Sequence, residues 1–473
     1  MSCITKAMTL EEKELAILRA AVDKAEAKAG RKITHAEETK KMIAIVENFL
    51  IRRKLVCYGG TAINNILPVQ DQFYNKDIEI PDYDFFSPDA LKDAKDLADI
   101  YADQGYSDVE AKAGVHIGTF KVFVNFIPVA DITEMPKELF KSVQAEAHKR
   151  AGILYAPPDY LRMAMYLELS RPDGDVSRWE KVLKRLTLLN KHFPMKNPRC
   201  DHVDFVRSFQ GTEQDARDIY NVTKDSIIDQ GLVFFGGYAG HLYSRYMKGK
   251  ESKRLNRSVP DFDVLAEDPE RAAVIIKERL LDEGFQTVKV YKHKGFGEII
   301  APHYEVAVGK DTVAFIYEPL ACHSYNVIRA GGKKVKVATI DTMLSFYLAF
   351  TFADKPYYDK ERILCMSQYL FSVQARNRLE QKGVLRRFSV TCYGKQDTLE
   401  DIRGEKAELF KKLSKNRGSL EWDKVFLRYS PSQDREKKEK EKEKKKKARR
   451  QNRTKNEKKK KKRQTKKKGL FGF

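Results

Sequence analysis

The sequence has no run approaching the ~18 consecutive apolar residues that a membrane-spanning helix needs. Its first residues, MSCITKAMTLEEKE, lack the charged-then-apolar order of a secretory signal. A soluble, intracellular protein with no membrane contact is therefore expected. Cysteine is sparse: Cys3, Cys57, Cys200, Cys322, Cys365 and Cys392 include no CxxC pair. That excludes a zinc ribbon or finger and argues against a disulfide framework, so the cysteines read as reduced thiols. The nine histidines show no HxxxH-type spacing and read as surface or core residues rather than metal ligands.

What is abundant is positive charge, and it is unevenly placed. Of the formal net charge of +22, the segment Arg435 to Lys468 supplies +17, with 22 Lys or Arg against 5 Glu. The remaining body is close to neutral, which describes a globule carrying a basic arm rather than a basic fold. The arm cannot bury a core and is expected to be disordered, free to bind RNA or other polyanions. At ~100 to 200 residues per domain, 473 residues allow two or three domains with sizeable cores.

Leu10 to Ala29 reads as a helix, and Thr34 with Glu37 forms a capping box opening a second helix to Arg53. The short apolar run Leu55 to Tyr58 then meets Gly59-Gly60-Thr61, followed by helical composition up to Pro68. This is a strand, a glycine turn and a helix start. Farther on, Asp82-Tyr83-Asp84-Phe85-Phe86 alternates acid with aromatic at period two, a strand with one carboxylate face. A helix from Asp89 to Gln104 and strands at Tyr106 to Lys112 and Thr119 to Phe126 lead to Asp131, placed at the end of a strand-like run. Helices at Asp159 to Leu169 and Trp179 to Asn190 follow.

The same order of features recurs. Phe235-Gly236-Gly237-Tyr238 echoes Tyr58-Gly59-Gly60-Thr61, Pro260-Asp261-Phe262-Asp263 echoes Pro81-Asp82-Tyr83-Asp84, and Asp341 echoes Asp159, at offsets of 177, 179 and 182 residues. A slow drift in one direction is what small loop insertions produce, so a tandem duplication is expected with its boundary near Asn197 to Gln214.

A Gly-Gly turn at a helix start lets backbone N–H groups approach phosphate oxygens, and the Thr61 hydroxyl can add a donor. Asp82 and Asp84 point to one side of a strand and can share hard cations such as Mg²⁺ or Mn²⁺. Asp131 is the leading candidate for the third carboxylate of a two-metal site that supports attack of a hydroxyl on an α-phosphorus. Neighbouring Asp77 and Glu79 are decoys. Each part alone is weak, since a lone GG is usually a turn and a lone DxD usually a solvated edge; the ordered set is specific. In the second copy the aligned position of Asp131 falls on Cys322 and Thr61 becomes Tyr238, so that unit reads as degenerate, with Glu318 the one nearby acid that could substitute. Arg162, Arg171, Arg178, Lys181 and Arg185 form a basic helical stretch suited to phosphate contacts. Tyr166 and Trp179 read as core more readily than as base-stacking platforms.

These residues resemble the poly(A) polymerase catalytic subunits of large nucleocytoplasmic DNA viruses, within the nucleotidyltransferase superfamily. The resemblance is carried by YGGTAINNILP, IPDYDFFSPDA, VHIGTFKVFVNF, VADIT, PPDYLRMAMYLELSRP and SRWEKVLKRL, from about Leu55 to Asn190. It implies an α/β (α+β) fold of two duplicated nucleotidyltransferase units with helical flanks. It also implies ATP as donor, an RNA 3′ end as acceptor, a divalent cation, and a homodimer acting in the host cytoplasm, with packaging in the virion a further expectation. Residue by residue, it places Gly59, Gly60 and Thr61 at the triphosphate, Asp82, Asp84 and Asp131 at the metals, and some of Ser170, Arg171, Arg178 and Lys181 along the nucleotide cleft. The expected organisation is an N-terminal helical region (1–54), a catalytic unit (55–196), a degenerate second unit (197–430) and a basic tail (431–473). A nucleotidyltransferase acting on another acceptor and a noncatalytic RNA-binding scaffold are the alternatives.

Overall fold

The computed structural model describes residues 9–34, 37–75, 80–195, 200, 203, 209–247 and 261–436, with isolated positions in the C-terminal tail. The expected boundary near Asn197, the decoys Asp77 and Glu79, and nearly all of the basic tail lie outside these residues.

Two helices lead the chain, α1 (Leu10–Thr34) and α2 (Glu37–Arg53). The first runs through to Thr34, so this residue ends a helix where a cap was expected. Along α2, Met42, Val46, Phe49 and Leu50 recur at helical spacing and are buried on the first sheet, each contributing about 1.5–3 kcal/mol. The helical region is thus part of the first unit rather than an appendage, and the Tyr101 hydroxyl fastens it by donating to the Met42 carbonyl.

The first unit continues with β1 (Val56–Cys57), α3 (Gly59–Ile66), β2 (Tyr83–Ser87), α4 (Ala90–Asp103), β3 (Val109–Ala113), β4 (Thr119–Val124), β5 (Ile127–Glu134), α5 (Lys137–Ala145), β6 (His148–Arg150), β7 (Ile153–Tyr155), α6 (Pro158–Leu169) and α7 (Trp179–His192). The second runs α8 (Glu213–Asp229), β8 (Val233–Phe234), α9 (Gly237–Ser244), β9 (Phe262–Leu265), α10 (Pro269–Asp282), β10 (Val288–His293), β11 (His303–Val308), β12 (Asp311–Tyr317), β13 (His323–Ala330), β14 (Lys333–Ala338), α11 (Ile340–Phe350) and α12 (Lys360–Arg376).

The duplication extends to the order of the sheet strands, although α5 has no counterpart between β12 and β13. One sheet has the order β3-β4-β5-β2-β1-β7-β6 and the other β10-β11-β12-β9-β8-β14-β13. Each central pair is antiparallel, β1 with β2 and β8 with β9, and each is flanked by parallel partners. Asp159 and Asp341 occupy the second position of α6 and α11, as the repeat requires. These two equivalent helices pack on one another across the join. There Tyr160 meets Phe352 edge to face, and the Ser324 N–H donates to the Ser170 carbonyl at 2.8 Å.

Two features depart from the expected organisation. After β15 (Cys392–Tyr393), α13 (Leu399–Leu413), α14 (Leu420–Phe426) and β16 (Arg428–Tyr429) return to the first unit, where β16 pairs antiparallel with β3 at the sheet edge. Lys95 to Asp423 at 2.6 Å, Lys406 to the Gly114 carbonyl at 2.7 Å and Tyr429 to Asp99 at 2.7 Å hold it there. The segment 399–430 therefore belongs spatially with the first unit, not with 197–398. Residues 431–436 continue as helix, with Arg435 paired to Asp103. Secondly, the cysteines expected as separate thiols are paired: Cys200 with Cys365 and Cys322 with Cys392, at Cα separations of 5.3 and 5.2 Å, leaving the buried Cys57 free among the described residues. Partners 165 and 70 residues apart leave no local spacing to read.

Candidate active site

The acid face of β2 arises from strand alternation. Tyr83 and Phe85 turn into the core, where Phe85 packs near Phe49 and the Tyr83 hydroxyl donates to Glu47, so Asp82, Asp84 and Phe86 fall on the opposite face. In parallel register, Asp84 sits beside Asp131, and β5 continues past it to Glu134 alongside Ser87. Asp131 is therefore mid-strand rather than at a strand end, with Lys121 of β4 across from it on the other side.

Gly59 adopts φ +70° at the start of α3, and a Cβ there would lie 2.7 Å from the Asp84 carboxylate. Glycine is required twice over, for the left-handed backbone and for the close approach. A Cβ at Gly60 would collide with the Tyr74 hydroxyl and lie 3.0 Å from the Arg185 guanidinium. Thr61 is buried and donates to the Asp82 carbonyl at 2.6 Å. Its hydroxyl fixes the turn against the acid strand, where it had been expected to point to a phosphate.

Electrostatically the site is short of positive charge. Burial, and then repulsion from Asp82 and Asp131, push the Asp84 carboxyl up to about 7, with Lys121 and Arg178 opposing. Burial and then Asp131 raise Asp82 as well. Lys121 pairs with one Asp131 oxygen, while the other is buried with no hydrogen-bond partner. Three carboxylates, one orphaned oxygen and an all-oxygen donor set fit a hard divalent cation.

Beyond the acids, Phe86 and Thr133 continue the same face into a cleft of about 890 Å³ lined also by Tyr160, Met163, Arg171 and Arg178. Arg178 pairs with Glu168 at 3.1 Å, and burial lowers the Arg171 guanidinium to about 10, still cationic near neutrality. Ser170 is fully buried at the end of α6, donating to the Leu167 carbonyl, and Lys181 is exposed on α7; neither lines this cleft. Arg162, counted in the basic stretch, is buried and spent on Asn190, Asp159 and the Phe193 carbonyl. Tyr166 is core, and the Trp179 indole donates to the Glu168 carbonyl. Arg185, counted in the basic stretch, lies over Phe73 and bonds Tyr74 beside Gly60, a placement between distant segments with no local signal. One contributor was missed from the sequence. Lys121 was findable, since polar residues alternate with buried Phe120 and Val122 along β4.

The second copy shows the same frame without the third carboxylate. Gly236 abuts Asp263 as Gly59 abuts Asp84, but the residue in register with Asp263 on β12 is Phe315. Phe315, not Cys322, is therefore the counterpart of Asp131, and Cys322 lies beyond the strand in a disulfide. Exposed Glu318 also lies past β12 and does not line the pocket. From α12, the Arg362 guanidinium reaches Asp261 at 2.8 Å, an internal cation where the first copy invites an external one. Phe315, Phe350, Tyr357 and Tyr358 fill the remainder, leaving about 80 Å³.

Residues 44–175 match the family of poly(A) polymerase catalytic subunits. The matched span holds Gly59, Gly60, Thr61, the three aspartates, Ser170 and Arg171, and stops short of Arg178. The chain is 33% identical over 173 residues to a candidate poly(A) polymerase catalytic subunit of African swine fever virus, strain Badajoz 1971 Vero-adapted, covering 35% of this chain and 36% of that protein. It is 28% identical over 239 residues to the candidate catalytic subunit of Acanthamoeba polyphaga mimivirus, covering 47% and 39%. The chain thus spans little more than a third of the length of these relatives. The crystal structure of the Megavirus polyadenylate synthase shares the fold, with a TM-score of 0.74 at 18% identity, over 92% of this chain and 88% of that one.

Two expectations follow. A cation needs Asp84 ionised, and its carboxyl titrates near 7, so Mn²⁺ affinity should rise from pH 5.5 and level off above about pH 8; calorimetric titration across that range checks this, and a flat profile would contradict it. Arg362→Met should remove the guanidinium that reaches Asp261 and lower stability, read as a shifted midpoint in urea denaturation, whereas an unchanged midpoint would mean the pair is not holding the second unit.

Proposed function

We propose that the chain is a template-independent polynucleotide adenylyltransferase that adds AMP from ATP to the 3′ end of RNA and releases pyrophosphate. The observation that carries this is the contrast between the copies: glycine turn, three carboxylates and an open cleft in the first, the same turn sealed by Phe315 and Arg362 in the second. The family matched by residues 44–175 supports the substrate class.

In the reaction, the RNA 3′ oxygen bonds to the α-phosphorus of ATP, the bond to the pyrophosphate oxygen breaks in line, and the hydroxyl proton passes to solvent. Divalent cations, Mg²⁺ or Mn²⁺, would supply activation of that hydroxyl and neutralisation of the leaving pyrophosphate. Asp82, Asp84 and Asp131 would hold them. The Gly59-Gly60 turn brings α3 against the acids without a Cβ in the way, leaving room for phosphate oxygens at the helix start. Arg178 adds positive charge near Asp84, and Arg185 adds it beside Gly60. Lys121 holds Asp131 until a cation competes for it.

The basic tail acts in this reading as a salt-sensitive tether for the growing product, so removing residues 437–473 should shorten products while single-nucleotide addition persists; unchanged length rejects the tether. A homodimer and a cytoplasmic site of action belong to the same proposal, and a sedimentation mass near the 54.6 kDa of one chain would refute the dimer. For the activity itself, a labelled RNA is incubated with each nucleoside triphosphate and Mg²⁺ or Mn²⁺. ATP-dependent ladders are expected, lost by a factor of at least about 10³ in Asp82→Asn with Asp84→Asn. Binding of RNA without extension by any nucleotide would favour the scaffold alternative.

A further inference from the structure

The cleft beside the acids has a charge pattern that a nucleic-acid backbone would not choose. Seven acidic residues line it against two arginines, in a chain whose net charge is +22. Phosphates are served at one end, where Gly59, Gly60, Arg178 and Arg185 meet the aspartates. The face then runs along Phe86 and Thr133 to apolar α6 residues, Tyr160, Met163 and Leu167, and ends against the segment leading into α13, from Gln396 to Ile402. An apolar floor with a wall of acceptor oxygens is a place for a base, not for a phosphate.

Two polar atoms in that wall lack protein partners. The Gln396 side-chain oxygen is shielded from water with no donor near it, and the Arg171 Nε–H has no acceptor. Leaving such groups unmade is costly, and a ligand that completes them gains accordingly. One is an acceptor wanting a donor and the other a donor wanting an acceptor, and both belong to residues that line the same cleft, so a base carrying an amino donor and a ring-nitrogen acceptor can satisfy both. Adenine offers this at N6 with N1 or N7. Guanine and uracil place a carbonyl oxygen where adenine has its amino group, and an oxygen there would meet the Gln396 acceptor instead of donating to it. Cytosine has the right edge but fills less of a cleft of about 890 Å³.

We propose that Gln396, with Arg171, reads the 6-amino edge of the incoming purine, so that the segment preceding α13 sets the choice of ATP. This rests on the adenylyltransferase reading and adds the residue that selects the nucleotide. It also gives a purpose to the return of the C-terminal segment. By pairing β16 with β3 and anchoring Lys406 on Gly114, that segment brings the α13 entry over the catalytic cleft.

The test uses the full-length protein, a labelled RNA primer, and kcat/KM for ATP, purine riboside triphosphate (no 6-amino group) and inosine triphosphate (6-oxo). The wild type should prefer ATP to purine riboside triphosphate by about 10- to 100-fold. Gln396→Leu should collapse that ratio to within about threefold, by lowering ATP use and not by raising use of the analogue, while Gln396→Glu, which keeps an acceptor, should retain it. Wild-type indifference to the amino group, or an unaltered ratio in a folded, active Gln396→Leu protein, overturns the assignment. If the wild type extends RNA with no nucleotide at all, the adenylyltransferase reading itself has failed, and the assignment falls with it.

Discussion

The arrangement depends on one pairing: β2 lies parallel to β5 with Asp84 opposite Asp131. Strand alternation puts Asp82 on the same face, so three like charges are fixed by backbone hydrogen bonds that their repulsion cannot undo. The consequences are visible in the groups themselves. One carboxyl is held near neutrality in its titration, one oxygen is orphaned, and a lysine is recruited from the neighbouring strand. A site organised this way stores a demand for positive charge, which a divalent cation with its triphosphate can meet from outside.

The second unit met the same demand from within. Its sheet order, central strand pair and glycine turn repeat those of the first, yet Phe315 removes one carboxylate and Arg362 neutralises another. Four aromatic side chains then close the space. With its cleft filled, this unit packs α11 on α6 and shares a core continuous with that of its twin.

Much of this was legible in the sequence, because the informative signals are local. Period-two acids on β2, the glycine turn before α3 and the offsets of the repeat each occupy a few adjacent residues, and the elements fall where those signals put them. What failed was non-local. Matching Asp131 to Phe315 instead of Cys322 required knowing a strand register, and a single irregular loop shifts that by several residues. The return of 399–430 to the first sheet, the two cysteine pairs and the approach of Arg185 to Gly60 all join segments separated by about seventy residues or more in the chain, where neither composition nor periodicity carries information. Ser170 came only from the resemblance, as one of four residues of which some should line the cleft; its burial at the end of α6 against β13 is a packing fact with no local signal.

The central claim is that one copy of a duplicated frame does chemistry and the other is sealed. It is tested most directly by comparing Asp84→Asn with Asp263→Asn in RNA extension, with folding of each checked by circular dichroism. The account predicts loss of extension by at least about 10³ in the first and change within about threefold in the second. Equal loss in both, with both proteins folded, would contradict it.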